Sequence, residues 1–226
     1  MTRSNGLVEM PSPMPDIDAS VVDIVGSNMI SGVSNIHLEA FQGYLNANLG
    51  PRYAHALIQW YVKEEAAIAL AAIDRQQQII GYVIGGPMAL AKKVRSDMFL
   101  VTVQSVIRHP WLVFDRRLWK MGRARFAARH STRKTIRMPE LAPPIFSLRG
   151  IGVKSSHQQK GVGKLLLRAF EERAKMLRAK SLLLWVYSDK AATRRLYEKC
   201  GWKACPDSIT VAGTIKYVRV LDPYRS

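Results

Sequence analysis

The stretch Val153-Lys154-Ser155-Ser156-His157-Gln158-Gln159-Lys160-Gly161-Val162-Gly163-Lys164-Leu165-Leu166 sets a polar, glycine-bearing turn between two apolar segments of different period. Upstream, Ile145 to Val153 has the length and composition of a buried strand, whereas downstream Leu165, Leu166, Ala169, Phe170 and Leu177 recur at helical spacing and predict a helix over 161–177. A strand running through such a turn into a helix is a place where an anion can be held. The first-turn amides of a helix lack intrahelical partners and carry the positive end of the macrodipole, so a phosphate can accept several hydrogen bonds there. Gly161 and Gly163 permit close approach to those amides, and Lys160 and Lys164 add charge beside them. Two familiar phosphate loops fail on spacing. A P-loop needs glycine where Gln158 stands and Ser or Thr where Leu165 stands, and a dinucleotide fingerprint counted from Gly161 needs glycine where Leu166 stands. The bland alternative is a tight strand-to-helix turn that holds no ligand.

Working outward from the turn, Leu182–Tyr187 reads as a buried strand and Asp189–Lys199 as a helix that Gly201 closes in the left-handed conformation. Thr210–Leu221 supplies one or two further strands. Towards the amino terminus, Met29, Ile30, Val33, Ile36 and Ala40 mark one amphipathic helix, and Tyr53, Ala56, Leu57, Trp60 and Tyr61 mark a second. Ala66–Ile73 and Ile79–Ile84, joined by Asp74-Arg75-Gln76-Gln77-Gln78, predict a hairpin. Alternating strands and helices call for an α/β architecture, a central sheet with helices on both faces. Residues 1–17, with Pro11, Pro13 and Pro15, read as a flexible lead-in, and 18–226 as one domain.

The chain has 226 residues, 48% of them hydrophobic and 23% charged, enough to bury a core and unlike a disordered or fibrous composition. Its longest apolar run, Ala66–Ile73, is far short of the roughly 20 residues that span a bilayer, so the expectation is a soluble, cytoplasmic protein. Cys200 and Cys205 read as reduced thiols, and no metal site is expected from them or from the scattered histidines. Charge is the unusual property: 34 Lys and Arg against 17 Asp and Glu leave a net +17, which favours anionic partners. Residues 92–137 hold 13 Lys or Arg against two Asp, with Trp111, Leu112, Phe114, Leu118 and Trp119 among them. This stretch reads as a basic helical insertion: a solvated face, a surface for peripheral contact with an anionic membrane, or a dock for an anionic acceptor.

The pattern Gln158-x-x-Gly161-x-Gly163 after a strand, followed by Trp185-Val186 and by Ala191-Ala192-Thr193-Arg194-Arg195-Leu196-Tyr197-Glu198-Lys199-Cys200-Gly201-Trp202, resembles the GNAT superfamily of acyl-CoA N-acyltransferases. The first element is similar to that family's pyrophosphate-binding turn and the last to its A-x-x-L-Y-E-K-x-G-F helix, with Trp202 for Phe. Ile36-His37-Leu38-Glu39-Ala40-Phe41 and Ile80-Gly81-Tyr82-Val83 extend the likeness over about Val21 to Leu221. Ser155 stands where the family often has Pro, Lys190 where it often has Asn, and the basic insertion has no counterpart in minimal members.

The resemblance implies a GNAT-like mixed central sheet and an N-acetyltransferase that moves acetyl from acetyl-CoA, as co-substrate and without a metal, directly to a primary amine. It implies a bulge in the strand before the turn, parting that strand from the next. Coenzyme-binding residues on this resemblance are Ile151, Gly152, Val153, Gln158, Gln159, Lys160, Gly161, Val162, Gly163, Lys164 and Lys190, with a backbone N–H near Val153 facing the thioester oxygen. Tyr197 takes the place of the family's general acid. Candidates for the base are His37, Glu39, Glu140 and water. The acceptor is expected to be a small anionic amine, an amino sugar or sugar nucleotide. The competing reading is a non-enzymatic basic protein that binds nucleic acid or an anionic membrane; nucleic acid is disfavoured because no helix-turn-helix, RNA-recognition or zinc-finger pattern occurs.

Overall fold

The computed structural model describes residues 19–24, 26–108, 141–205 and 213–221. The lead-in, Glu140, and the part of the basic insertion beyond residue 108, including the helix expected from Trp111, lie outside the described residues. The described strands are β1 (Ala19–Asp23), β2 (Ile68–Asp74), β3 (Ile79–Pro87), β4 (Ile145–Val153), β5 (Ser181–Tyr187), β6 (Lys203–Cys205) and β7 (Thr214–Val220). They form one seven-stranded sheet in the order β1-β2-β3-β4-β5-β7-β6. Every neighbouring pair is antiparallel except β4 and β5. The expected hairpin is β2–β3. The edge strands β1 and β6 escaped the sequence reading because they are short and have no buried residue, which leaves no alternation to detect.

The described helices are α1 (Gly26–Ala40), α2 (Leu45–Asn48), α3 (Pro51–Lys63), α4 (Leu90–Asp97), α5 (Phe99–Arg108), α6 (Val162–Met176) and α7 (Ala191–Lys199). Two cores, one on each face of the sheet, follow from their apolar stripes. On one face Val162, Leu166, Leu167, Ala169 and Phe170 of α6 pack with Phe146, Leu148, Leu184, Val186, Tyr197 and Tyr217. Leu166, Leu167 and Phe170 are wholly buried, each contributing roughly 1.5–3 kcal/mol of transfer free energy. On the other face Ile30, Val33 and Ile36 of α1, Ile58 and Tyr61 of α3, and Val94 of α4 cover Ala71, Tyr82 and Ile84. The described start of the basic stretch is thus part of the fold: Val94 and Met98 are buried, and the Trp60 indole N–H donates to Asp97 at 2.9 Å. Among the described residues, no helix is long and apolar enough to cross a membrane.

One buried ion pair fastens the end of α7 to this framework. The Glu171 carboxylate accepts from the Trp202 indole at 2.7 Å and from Arg219 at 3.0 Å, while Arg219 also donates to the carbonyl of Cys200. Burial pushes the Glu171 carboxyl above its ordinary value, against the opposing pull of Arg219.

Candidate active site

Parallel pairing between β4 and β5 covers only Ile145–Ser147 against Ser181–Leu183, although β4 continues to Val153 and β5 to Tyr187. The strands part because β4 is bulged. Ile84 pairs with Gly150 and Gly85 with Leu148, which leaves Arg149 as the extra residue, and a bulge bends its strand away from the ladder. Beyond Ser147, the edge of β4 that faces β5 has no strand partner. The slot so formed ends at the turn singled out in the sequence.

That turn is tied down at several points. The Lys154 amide donates to the carbonyl of Ile80 at 2.9 Å, the Ser155 amide to the Glu39 carboxylate at 2.8 Å, and the Gln158 side-chain amide to the carbonyl of Val153 at 3.1 Å. Gln158 therefore braces the end of β4. The chain then enters α6 through Gly161, whose φ of 84° lies in the left-handed region that glycine occupies without a Cβ penalty. Lys164 and Leu165 donate to the Gly161 carbonyl at 2.9 and 3.0 Å. Among the described turn and cap hydrogen bonds, the amides of Gln159, Lys160, Gly161, Val162 and Gly163 donate to none. These are the unpaired donors a diphosphate requires, and the residues present fit the coenzyme's pyrophosphate. The structure also supplies a reason for Gly163 that the spacing alone did not contain. A Cβ there would meet Leu196 Cδ2 at 3.2 Å, so the glycine lets α7 pack against the turn.

Tyr197 lies on α7 in the α6-side core, 5.8 Å from the Tyr217 ring and 6.0 Å from Trp202. Burial raises its hydroxyl well above the ordinary tyrosine value, so it stays protonated at neutral pH. On the opposite face the Tyr82 hydroxyl meets His37 Nδ1 at 2.5 Å. Tyr82 is raised chiefly by burial and further by Tyr197, although Tyr82 of β3 packs in the α1-side core and Tyr197 of α7 in the α6-side core. Gly152 leaves room for this arrangement; a Cβ there would fall 2.7 Å from the Tyr82 ring.

The candidate bases fare poorly. His37 is 3% exposed, stacks on Phe41 with ring centroids 4.8 Å apart, and has no partner at Nε2 among the described residues. Burial pulls its pKa from 6.5 to about 4. Moving a proton to it from an ammonium of pKa near ~10 is uphill by about 8 kcal/mol. Glu39 is engaged with Ser155, whose side-chain and backbone hydrogen bonds, joined by the charge of Lys154, hold the carboxyl below its usual range. Neither is suited to deprotonate an amine.

Sequence reasoning overlooked the far face of the slot. Leu184 and Val186 point into the α6-side core, so Trp185 and Tyr187 of β5 point the other way, both 37% exposed. Tyr187 packs on Tyr44, in the connection between α1 and α2, with centroids 4.6 Å apart. Lys190, expected among the coenzyme residues, holds its ammonium 5.1 Å above the Tyr44 ring. Arg149 reaches the Tyr61 hydroxyl of α3 and lies near Tyr53. No local pattern marks these residues as a group, because four separate segments supply them. Among the described residues no group of three His, Cys, Asp or Glu side chains is placed to hold a metal.

A mixed sheet opened at a bulge, above a run of unpaired amides at a helix start, defines the class of acyl-coenzyme A transferases that seat a pantetheine arm between parted strands. The profile of the acetyltransferase (GNAT) family matches residues 31–202, more than half of the chain, and the chain belongs to that family. It is an acetyl-CoA-dependent acetyltransferase, and this membership does not favour the non-enzymatic alternative. Solved structures agree on the fold. Ard1 from Thermoplasma volcanium superimposes with a TM-score of 0.54 at 12% identity, covering 91% of this chain and 99% of that one. An N-acetyltransferase from Staphylococcus aureus Mu50 gives 0.57 at 13% identity over 91% and 100%. A GCN5-related N-acetyltransferase from Kribbella flavida gives 0.55 at 13% over 90% and 98%. The comparison with curated proteins returns no significant match.

Proposed function

We propose that this chain acetylates the primary amine of a small anionic acceptor, an amino sugar or sugar nucleotide, by direct transfer from acetyl-CoA. The observation that carries the reading is the slot: β4 and β5 cease pairing after Ser147 and Leu183, and the slot's lower end opens on the unpaired amides of Gln159 to Gly163. In this reading Ile151, Gly152 and Val153 bind the pantetheine arm along the unpaired edge of β4. Gln158 to Lys164 hold the diphosphate through backbone amides and the two lysine charges. Bound there, the coenzyme supplies an activated thioester.

The chain's own contribution is to orient the thioester, to offer a backbone N–H near Val153 where oxyanion charge develops, and to keep a proton on Tyr197 for the departing thiolate. Since His37 and Glu39 are poor acceptors for the amine's proton, ordered water at the open face of the slot takes it. The net charge of +17 supports an anionic acceptor over a polycation.

The test is calorimetric titration with acetyl-CoA followed by thiol-release assays over a panel of amines and amino sugars. Stoichiometric binding with turnover of an anionic amine is the expected result. No heat of binding would overturn the coenzyme site, and preferential turnover of polyamines would overturn the acceptor class.

A further inference from the structure

The bulge that opens the slot also places a cation where the strands begin to part. Because Arg149 is the inserted residue between the Gly85–Leu148 and Ile84–Gly150 pairs, it and Gly150 turn to the same face of the sheet. That face is set by Gly150, whose Cβ would point at Ile84 and, 3.4 Å away, at the Tyr82 hydroxyl. It is the face of α1 and α3, opposite the one that α6 covers. In the acetyl-transfer reading the coenzyme's diphosphate takes the start of α6, which leaves the Arg149 face for the acceptor. Arg149 follows the last paired position of β4 by only two residues, so it stands where the strands begin to part.

Among the described residues no carboxylate neutralises its charge. Arg149 is exposed, its polar neighbours on α3 are the phenols of Tyr61 and Tyr53, and among the described residues no carboxylate lies within ion-pair distance. The contrast with Arg219 and Arg173, which pair with Glu171 and Asp23 respectively, is direct. Across the slot, at the end of β5, Lys190 is held on Tyr44, which packs on Tyr187. Arg149, midway along β4 where the pairing stops, and Lys190, three residues after the end of β5, thus each lie beside a tyrosine. The Arg149 charge repels a bare ammonium, attracts a molecule that carries an anion, and shifts a bound amine towards its neutral, nucleophilic form. The last effect matters where neither His37 nor Glu39 can remove the proton.

We infer that Arg149 selects the acceptor by gripping a carboxylate or phosphate carried on the same molecule as the amine. Its planar fork matches either oxyanion in a bidentate pair, and Tyr61 fixes the direction of the fork. The inference rests on the acetyl-transfer reading and names the residue that would enforce its acceptor class.

The test pairs amines that differ only in the anion: β-alanine with β-alaninamide, and glucosamine 6-phosphate with glucosamine, each assayed by thiol release from acetyl-CoA. The wild-type protein is expected to prefer the anionic member of at least one pair, and which pair distinguishes carboxylate from phosphate. Arg149→Gln should raise KM for that member by about 10- to 100-fold, with kcat and acetyl-CoA affinity unchanged, and Arg149→Lys should restore part of the loss. Equal effects of R149Q on both members of a pair, or a preference for the neutral members, overturns the inference. Should none of these amines turn over, calorimetry of the same pairs on the coenzyme-A-saturated protein applies the same criterion, and absence of Arg149-dependent binding overturns it equally. A wild-type protein that does not bind acetyl-CoA would instead bring down the coenzyme reading, which the separate titration records.

Discussion

Replacing His37 by Gln tests the buried imidazole that couples α1 to the slot. Gln retains a hydrogen-bonding group for Tyr82 but does not titrate. In the folded chain the imidazole has a pKa of about 4, against 6.5 when solvated. The unfolded chain therefore takes up the proton first as pH falls, so stability is fully present above about 6.5 and is lost towards pH 4. At roughly 1.4 kcal/mol per pH unit, the whole interval is worth about 3 kcal/mol, of which about 2 kcal/mol is gone by pH 5. Urea denaturation of wild type and H37Q at pH 7.5, 6 and 5 measures this directly, because every other titrating group is common to both proteins and cancels. The difference in stability between them should shrink, or reverse in favour of H37Q, by about 2 kcal/mol between pH 7.5 and 5. A difference constant with pH would refute the claim that His37 is buried and neutral. The same variant should keep its thiol-release activity at pH 8; abolished turnover in a folded, acetyl-CoA-binding H37Q would restore His37 as the base.

Tyr197→Phe preserves the ring that packs on Trp202 and Tyr217 and removes only the hydroxyl; kcat should fall by about 10²-fold or more while calorimetric acetyl-CoA affinity stays the same, and unchanged turnover would exclude the general-acid role. Gly163→Val drives a branched side chain into Leu196, where even a Cβ is 3.2 Å away. Acetyl-CoA affinity should drop about tenfold or more as α7 is pushed off the turn, and wild-type affinity in a folded G163V would show that the close approach is dispensable. Arg219→Met leaves the buried Glu171 carboxylate without its cation and should cost about 2 kcal/mol in urea denaturation at pH 8. The loss should be smaller at pH 5, because burial already raises the carboxyl and removing Arg219 raises it further, which favours its neutral form as pH falls; a larger loss at the lower pH would contradict that assignment.

Particular residues show why part of this molecule was legible in its sequence and part was not. The amides of the turn were readable because a helix start leaves its donors unpaired whatever surrounds it, and Gly161 was readable because a left-handed turn has few residue solutions. Leu166, Ala169 and Phe170 were readable as core because a 3.6-residue period survives without tertiary context, whereas Leu177, at the same spacing, is 41% exposed because the helix ends at Met176. Arg149 was not. Nothing in Leu148-Arg149-Gly150 distinguishes a bulge from a regular strand, since the extra residue exists only in relation to the register of Ile84 and Gly85. The pairing of Tyr44 with Tyr187 and of His37 with Tyr82 likewise joins residues far apart along the chain.

The sequence by itself determined the elements around the turn, the unpaired amides at the helix start and the family likeness carried by Gln158, Gly161, Gly163 and Tyr197, because each depends on interactions within about one helical turn or one strand. Only the tertiary structure decided where β4 and β5 separate, which face of the sheet Arg149 takes, and why His37 and Glu39 are poor bases. Strand register, burial and electrostatic environment are relations between segments, and no local pattern encodes them.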